Sequence, residues 1–86
     1  MNRGKILDEA KRLTNADRQN DYGTPAVNFG RISRLLSAYL DCQITPEQAA
    51  IICALIKVAR SMETYKIDNY IDGAAYFAIA GELANG

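Results

Sequence analysis

The sequence contains no histidine and no tryptophan, and it has only two cysteines and two prolines among its 86 residues. Without histidine, neither a Ser-His-Asp nor a Cys-His catalytic arrangement can form. Two cysteines cannot supply the four Cys or His ligands of a structural zinc site. Neither common pattern of glycine-rich phosphate loop is present. If catalysis occurs, carboxylates that hold a hard cation such as Mg²⁺ are the only obvious apparatus.

The sequence also lacks net charge and long apolar runs. Ten basic residues balance ten acidic residues, whereas a nucleic-acid-binding protein usually has a basic excess that contacts phosphates. The longest apolar run, residues 49–56, is far shorter than the ~20 residues that cross a bilayer. The amino terminus does not lead into the core of a signal peptide. We therefore expect a cytosolic protein with reduced thiols that binds neither membranes nor, as its main partner, nucleic acid.

Apolar periodicity predicts four helices and no strand. The fold class is therefore all-α, as a compact four-helix domain that forms an antiparallel bundle, and residues 1–86 make a single domain. Thr45 to Gln48 read as a capping box with proline at the first helical position. The polar segment 17–24 is predicted to be a loop. The predicted helices are residues 3–15, 24–40, 45–62 and 68–83.

The third predicted helix is apolar on nearly all sides between residues 49 and 59, which is typical of a helix that is buried all round. Four short helices have little capacity to enclose one of their number, and hydrophobic residues make up 49% of the chain. A partner subunit is the simplest cover, so we expect a dimer or a higher oligomer. The alternative is that the other three helices suffice.

Two cations interrupt this apolar helix. Lys57 and Arg60 are three residues apart and lie on the same side. If the next helix folds back antiparallel, Lys57 comes close to Asp72 or Gly73, and Arg60 comes close to Asn69 or Tyr70. Asp68 shares a helix face with Asp72. The four charged groups could converge as a ligand site, or they could form a structural ion-pair network.

The segment 17–23 (Asp-Arg-Gln-Asn-Asp-Tyr-Gly) contains more charged and aromatic side chains than a solvent-exposed turn needs. An aromatic side chain such as Tyr22 can stack on a base or sugar, while Arg18 can hold a phosphate with two hydrogen bonds. Asn28 follows in the next helix, whose amino terminus favours anions. The alternative is a simple turn in which Tyr22 packs into the core.

Together these motifs resemble a family of small phage and prophage proteins of uncharacterised function, over nearly the whole chain. The motifs are D-R-x-x-D-Y-G at 17–23, K-x-x-R at 57–60 and D-N-x-x-D at 68–72. More distantly, the pattern is similar to the MazG-like all-α nucleoside triphosphate pyrophosphatases. That resemblance implies a helical bundle that assembles as a dimer or tetramer, in which two acidic pairs bind magnesium and the magnesium holds a triphosphate. Here only Asp68 and Asp72 form such a pair, because the preceding helix carries Lys57 and Arg60 instead.

The sequence therefore predicts a phage-type helical oligomer in the host cytoplasm that binds a nucleotide or a nucleotide-like phosphate ligand. Mg²⁺ is a possible cofactor. Two alternatives stay open: a degenerate Mg-dependent nucleoside triphosphate pyrophosphohydrolase, and a protein-interaction or inhibitor module without a small-molecule ligand. The predicted phosphate contacts are Arg18, Lys57 and Arg60, the other predicted ligand-binding residues are Asp21, Tyr22 and Asn28, and the predicted metal-binding residues are Asp68 and Asp72.

Overall fold

The structure, a computed structural model, describes residues 1–15 and 20–85. These residues contain four long helices and no strand, which confirms the all-α class. Each helix boundary lies within two residues of its predicted position. The helices are α1 (Arg3–Leu13), α2 (Pro25–Leu40), α3 (Pro46–Ser61) and α4 (Ile67–Ala84).

The segment before α2 differs from its prediction as a loop. Residues 20–22 are helical, whereas residues 16–19 lie outside the described part of the chain. Apolar periodicity needs a window of many residues, so it does not detect a short polar stretch such as residues 20–22. Gly23 ends this turn with a φ of 85°, a left-handed conformation that glycine adopts without strain. The glycine thereby separates the turn that carries Tyr22 from α2.

Side-chain caps fix the starts of α2 and α3. Thr24 accepts a hydrogen bond from the backbone N–H of Val27 at 3.3 Å, with proline at the first helical position. In the predicted capping box, the Thr45 hydroxyl accepts from the Gln48 N–H at 3.1 Å, and the Gln48 side chain accepts from the Thr45 N–H at 2.9 Å. A cap of this kind contributes roughly 1 kcal/mol. Both predicted helix starts are therefore confirmed.

Helix α4 lies at the centre of the molecule and contacts each of the other helices. It pairs antiparallel with α3, since Lys57 meets Asp72 at one level and Ala50 meets Ala80 in one cluster at another. On another side, Ala10 of α1 packs into a cluster with α4. Helix α2 contributes Phe29 to the cluster shared by α3 and α4. The order of packing is therefore α3–α4–α1, with α2 lying across one side.

The alternative that the other three helices suffice to enclose α3 is wrong, and cover by a partner subunit stays a prediction. Ala49, Ala50 and Ala54 are buried, but Leu55 is 58% exposed and Val58 is also exposed. The physical reason is that, among the described helices, α3 packs closely only against α4 and α2. Among the described residues, no large side chain is fully buried, so alanines make up most of the core and the large apolar side chains lie around it.

Candidate functional site

A cavity of about 290 Å³ lies between the end of α1, the turn before α2, the first turns of α2 and the middle of α4. Ligand pockets in proteins usually measure about 300–1,000 Å³, so the volume of this cavity lies just below that range. Apolar residues form much of its wall, and a few polar residues from separate elements also line it. The polar side chains in the lining are those of Thr14, Tyr22, Asn28, Asp72 and Tyr76.

Aromatic packing supports the wall of the cavity. The rings of Phe29 and Tyr76 meet edge to face, with their centroids 6.2 Å apart and their planes at 82°. Phe29 is almost completely buried, so it holds Tyr76 against the core while Tyr76 lines the cavity. Edge-to-face pairs of this kind add about 0.5–1.5 kcal/mol beyond the buried area. This side of the pocket is therefore held in place before any ligand arrives.

The turn before α2 brings two of the predicted ligand-binding residues to the same cavity. Tyr22 precedes Gly23, and Asn28 lies one turn into α2, four residues after its cap Thr24. A Cβ atom on Gly23 would lie 3.3 Å from Cγ1 of Val27 and would have to adopt a left-handed φ. Because only glycine fits this position without strain, Gly23 fixes the direction from which Tyr22 approaches the pocket.

One ion pair crosses from α3 to α4 at the pocket. The Lys57 ammonium lies 3.1 Å from Oδ2 of Asp72, and the two side chains are only 19% and 30% exposed. Asp72 also lines the cavity. This is the pairing that the antiparallel arrangement predicted from the sequence. An ammonium group has three N–H donors, so Lys57 can hold Asp72 and still donate to another acceptor.

The remaining predicted site residues do not reach this cavity. Arg60 lines a separate hollow of about 420 Å³ near the α3–α4 connection together with Asn69, to which the antiparallel arrangement predicted that it lies close. Asp21 is exposed and is absent from the described lining of either hollow, as is Asp68. Arg18 lies outside the described residues. The structure thus groups Tyr22, Asn28, Asp72 and, through its ion pair, Lys57, and it separates them from Arg60.

Sequence reasoning missed two polar residues of the lining, Thr14 and Tyr76. Tyr76 follows Asp72 by four residues, which places both on one face of a helix, so the register could have identified it. Thr14 gave no such signal, because it is the C-cap of α1 and its hydroxyl donates to the Lys11 carbonyl at 2.8 Å.

The pair Asp68 and Asp72 is a minimal set for Mg²⁺. This ion is often held by one or two carboxylates together with substrate phosphates. Within residues 1–15 and 20–85, no group of three or more His, Cys, Asp or Glu side chains is placed to hold a metal ion. One oxygen of Asp72 is also engaged by Lys57. Magnesium binding therefore stays a prediction, and no chemical step is derived through it.

Cys53 lies beside this polar cluster and packs against the core that contains Phe29. Burial raises the pKa of the Cys53 thiol above its ordinary value, and the nearby Lys57 ammonium opposes this effect only in part. The thiol is therefore held in its neutral form, which is the less nucleophilic one. Cys42, by contrast, is exposed.

Comparison with known proteins supplies the family. Residues 5–84 match the family model described as a domain of unknown function, DUF6378. The chain belongs to the DUF6378 family. This match covers all of the motifs from which the resemblance to phage proteins was inferred.

Two relatives of this DUF6378 chain come from bacteriophages. It is 40% identical over 72 residues to the Gene 55 protein of Mycobacterium phage D29, an alignment that covers 83% of this chain and 48% of the relative. It is 38% identical over 80 residues to the Gene 55 protein of Mycobacterium phage L5, which covers 91% of this chain and 51% of the relative. The chain thus spans about half the length of these relatives, and the predicted relationship to a phage protein family is confirmed.

No solved structure matches the chain, so the comparisons provide no structural link to the MazG-like pyrophosphatases. None of the helices in the described part of the chain is both long enough and apolar enough to span a membrane.

Proposed function

We propose that this DUF6378 protein binds a nucleotide or a nucleotide-like phosphate ligand in the cavity between α1, α2 and α4. One observation carries the proposal: Tyr22, Asn28 and Asp72 come from three separate segments of the chain and line one cavity of about 290 Å³. Convergent polar groups in a mostly apolar cavity are the usual signature of a small-molecule site.

The polar groups of the cavity suit the base and sugar of such a ligand. The Asn28 amide can both donate and accept hydrogen bonds, which matches the mixed donors and acceptors on the edge of a base. Tyr22 and Tyr76 provide aromatic surface for stacking. A cavity of about 290 Å³ has room for a nucleoside-sized group, and the phosphates would then extend towards its mouth.

Lys57 is the phosphate contact that this geometry favours. Its ammonium is held at 3.1 Å from Asp72, which fixes its position before a ligand binds and leaves N–H donors unused. Arg18, four residues before Tyr22 in the sequence, is the second predicted phosphate contact. Arg60 is withdrawn from this role because it lines the other hollow.

Calorimetric titration of the protein with a panel of nucleoside mono-, di- and triphosphates, with and without Mg²⁺, tests the proposal. We expect at least one nucleotide to bind, and we expect Asn28→Ala to weaken its binding roughly tenfold, because one hydrogen bond in a desolvated site contributes about 1–1.5 kcal/mol. Asn69→Ala is the matched control, since the same amide is removed from the separate hollow that contains Arg60.

The outcomes separate the hypotheses. Equal affinities for the Asn28→Ala and Asn69→Ala proteins would place the ligand elsewhere, and an absence of heat with every nucleotide would contradict the proposal. Release of pyrophosphate from a nucleoside triphosphate would instead favour the pyrophosphohydrolase alternative. That activity should then be lost in Asp68→Asn and Asp72→Asn.

A further inference from the structure

Helices α3 and α4 share an uncovered apolar surface on the side away from the cavity. At 3.6 residues per turn, Tyr70 and Phe77 of α4 lie opposite Asp72 and Ile79, which line the cavity. On α3, the corresponding positions lie opposite Ala49, which packs in the cluster with α2. The exposed positions on this side form the outer face, which consists of Leu55, Val58, Met62, Tyr70, Phe77, Gly81 and Ala84.

Large apolar side chains of the outer face are exposed to solvent in the single chain. Phe77 is 65% exposed and Met62 is 80% exposed, and Leu55 is also uncovered. Every position of the outer face, as defined within the described helices α3 and α4, is uncharged. A contiguous apolar face that is exposed to water marks an interaction site.

The total surface of the chain indicates how much cover is missing. A folded monomer of this mass, 9.5 kDa, is expected to expose about 5,000 Å². This chain exposes 6216 Å², which is roughly 1,200 Å² more. A standard protein interface covers about 800 Å² on each partner. The surplus is therefore large enough for one such interface.

The shape of the chain agrees with this surplus. Its radius of gyration is 13.3 Å, whereas a compact domain of this length is expected to have one of about 12 Å. The principal extents are 39 × 31 × 23 Å, so the molecule is a slab. The outer face lies on the side of the α3–α4 pair that α2 leaves uncovered, where a second layer of helices would complete the core on both sides of α4.

We infer that the outer face binds a second copy of the same chain and forms a two-fold symmetric dimer. A two-fold interface requires a surface that is complementary to itself. The outer face of α4 has this property, because the exposed ring of Phe77 lies one helical turn from Gly81, where an added Cβ atom would meet no heavy atom within 4 Å. Two copies of α4 can thus place each Phe77 against the small residues of the partner. Because the surface is uncharged, pairing two copies brings no like charges together.

Sedimentation and light scattering of the intact protein over a wide dilution series test this inference. We expect a dimer at high concentration and a dissociation constant that Phe77→Asp raises by at least roughly 30-fold, as for a central aromatic residue of an interface. Tyr39→Asp is the control, since Tyr39 is an 85% exposed aromatic residue on α2 and lies outside the outer face. It should leave the dissociation constant unchanged.

A chain that is monomeric at every concentration would overturn the inference, and so would a dimer that Tyr39→Asp disrupts and Phe77→Asp does not. If Phe77→Asp fails to fold, the wild-type protein still decides the question. A dimer that unfolds to monomers has a thermal midpoint that rises with protein concentration, whereas a midpoint independent of concentration contradicts the inference. None of these measurements depends on nucleotide binding, so the two proposals can fail separately.

Discussion

The two sides of α4 differ in chemistry although they belong to the same helix. The inner side of α4, which meets α1 and α2, carries Asp72 and Tyr76, which line the cavity. On this inner side, Asp72 pairs with Lys57, and Tyr76 packs against Phe29. The opposite side carries Tyr70 and Phe77, which are exposed. Half-buried polar groups that line one cavity suggest a ligand, because removing them from water costs free energy that packing alone does not require. Apolar groups left outside suggest a protein partner.

The core of this small chain is unusual. The buried positions are mostly alanines, and large apolar side chains are distributed over the surface. An isolated domain of this size has a small margin of stability. Packing on the inner side of α4 therefore supplies most of the stability of the single chain. The outer face adds to the free energy of unfolding only when another surface covers it.

The largest expected effect is the difference in stability between changing Phe29, which packs in the core beside the inner side of α4, and changing Phe77 on the outer face. Phe29→Ala should lower the free energy of unfolding by about 3–5 kcal/mol, because it leaves a cavity in the core and removes the contact with Tyr76. Phe77→Ala should lower it less, and by an amount that decreases on dilution, because the contacts it removes lie between copies. Thermal unfolding followed by circular dichroism at several protein concentrations measures both. Equal losses at every concentration would break the distinction between the two sides.

A smaller effect is expected for the ion pair on the inner side. Lys57→Met should lower the free energy of unfolding by roughly 1–2 kcal/mol, because it leaves the half-buried carboxylate of Asp72 without its partner. The partial exposure of both groups keeps the loss below that of a fully buried pair. A double-mutant cycle with Asp72→Asn, followed by urea unfolding, isolates the interaction. A coupling energy near zero would show that the pair does not position Lys57.

The smallest perturbation tests whether the inner side is closed to solvent. Cys42 is exposed, whereas the pKa of Cys53 is raised by burial. A thiol reagent at neutral pH should therefore modify Cys42 much faster than Cys53, since the thiolate is the reactive form. Folding favours the neutral thiol of Cys53. The free energy of unfolding should therefore fall, through this group, only as the pH rises above the ordinary pKa of a thiol. Equal rates for Cys42→Ser and Cys53→Ser proteins would indicate an open inner side.

Much of the fold could be predicted because its signals are local. The caps at Thr24 and Thr45 depend on residues within one helical turn, and both are present in the structure. The pairing of Lys57 with Asp72 followed from a short connection that forces the helices antiparallel, together with a count of residues from the turn. These predictions needed no knowledge of the rest of the chain.

The remaining features depend on what covers each helix, which a pattern of residues does not specify. The apolar run of α3 indicates that its faces avoid water, but it does not say whether this chain or another one covers them. The spacing predicted that Arg60 lies close to Asn69, and these two residues do line one hollow, but it did not show that this hollow is separate from the cavity beside Asp72. The cavity was also hidden, because Thr14 comes from a distant segment and carries no motif.

Mapping a bound nucleotide on the isotope-labelled protein by NMR tests the division between the two sides most directly. We predict that a nucleotide which binds will shift the amide signals of Tyr22, Asn28, Asp72 and Tyr76 and leave those of Leu55 and Phe77 unchanged. Shifts centred on Leu55 and Phe77 instead, or no shift with any nucleotide at saturating concentration, would contradict the account.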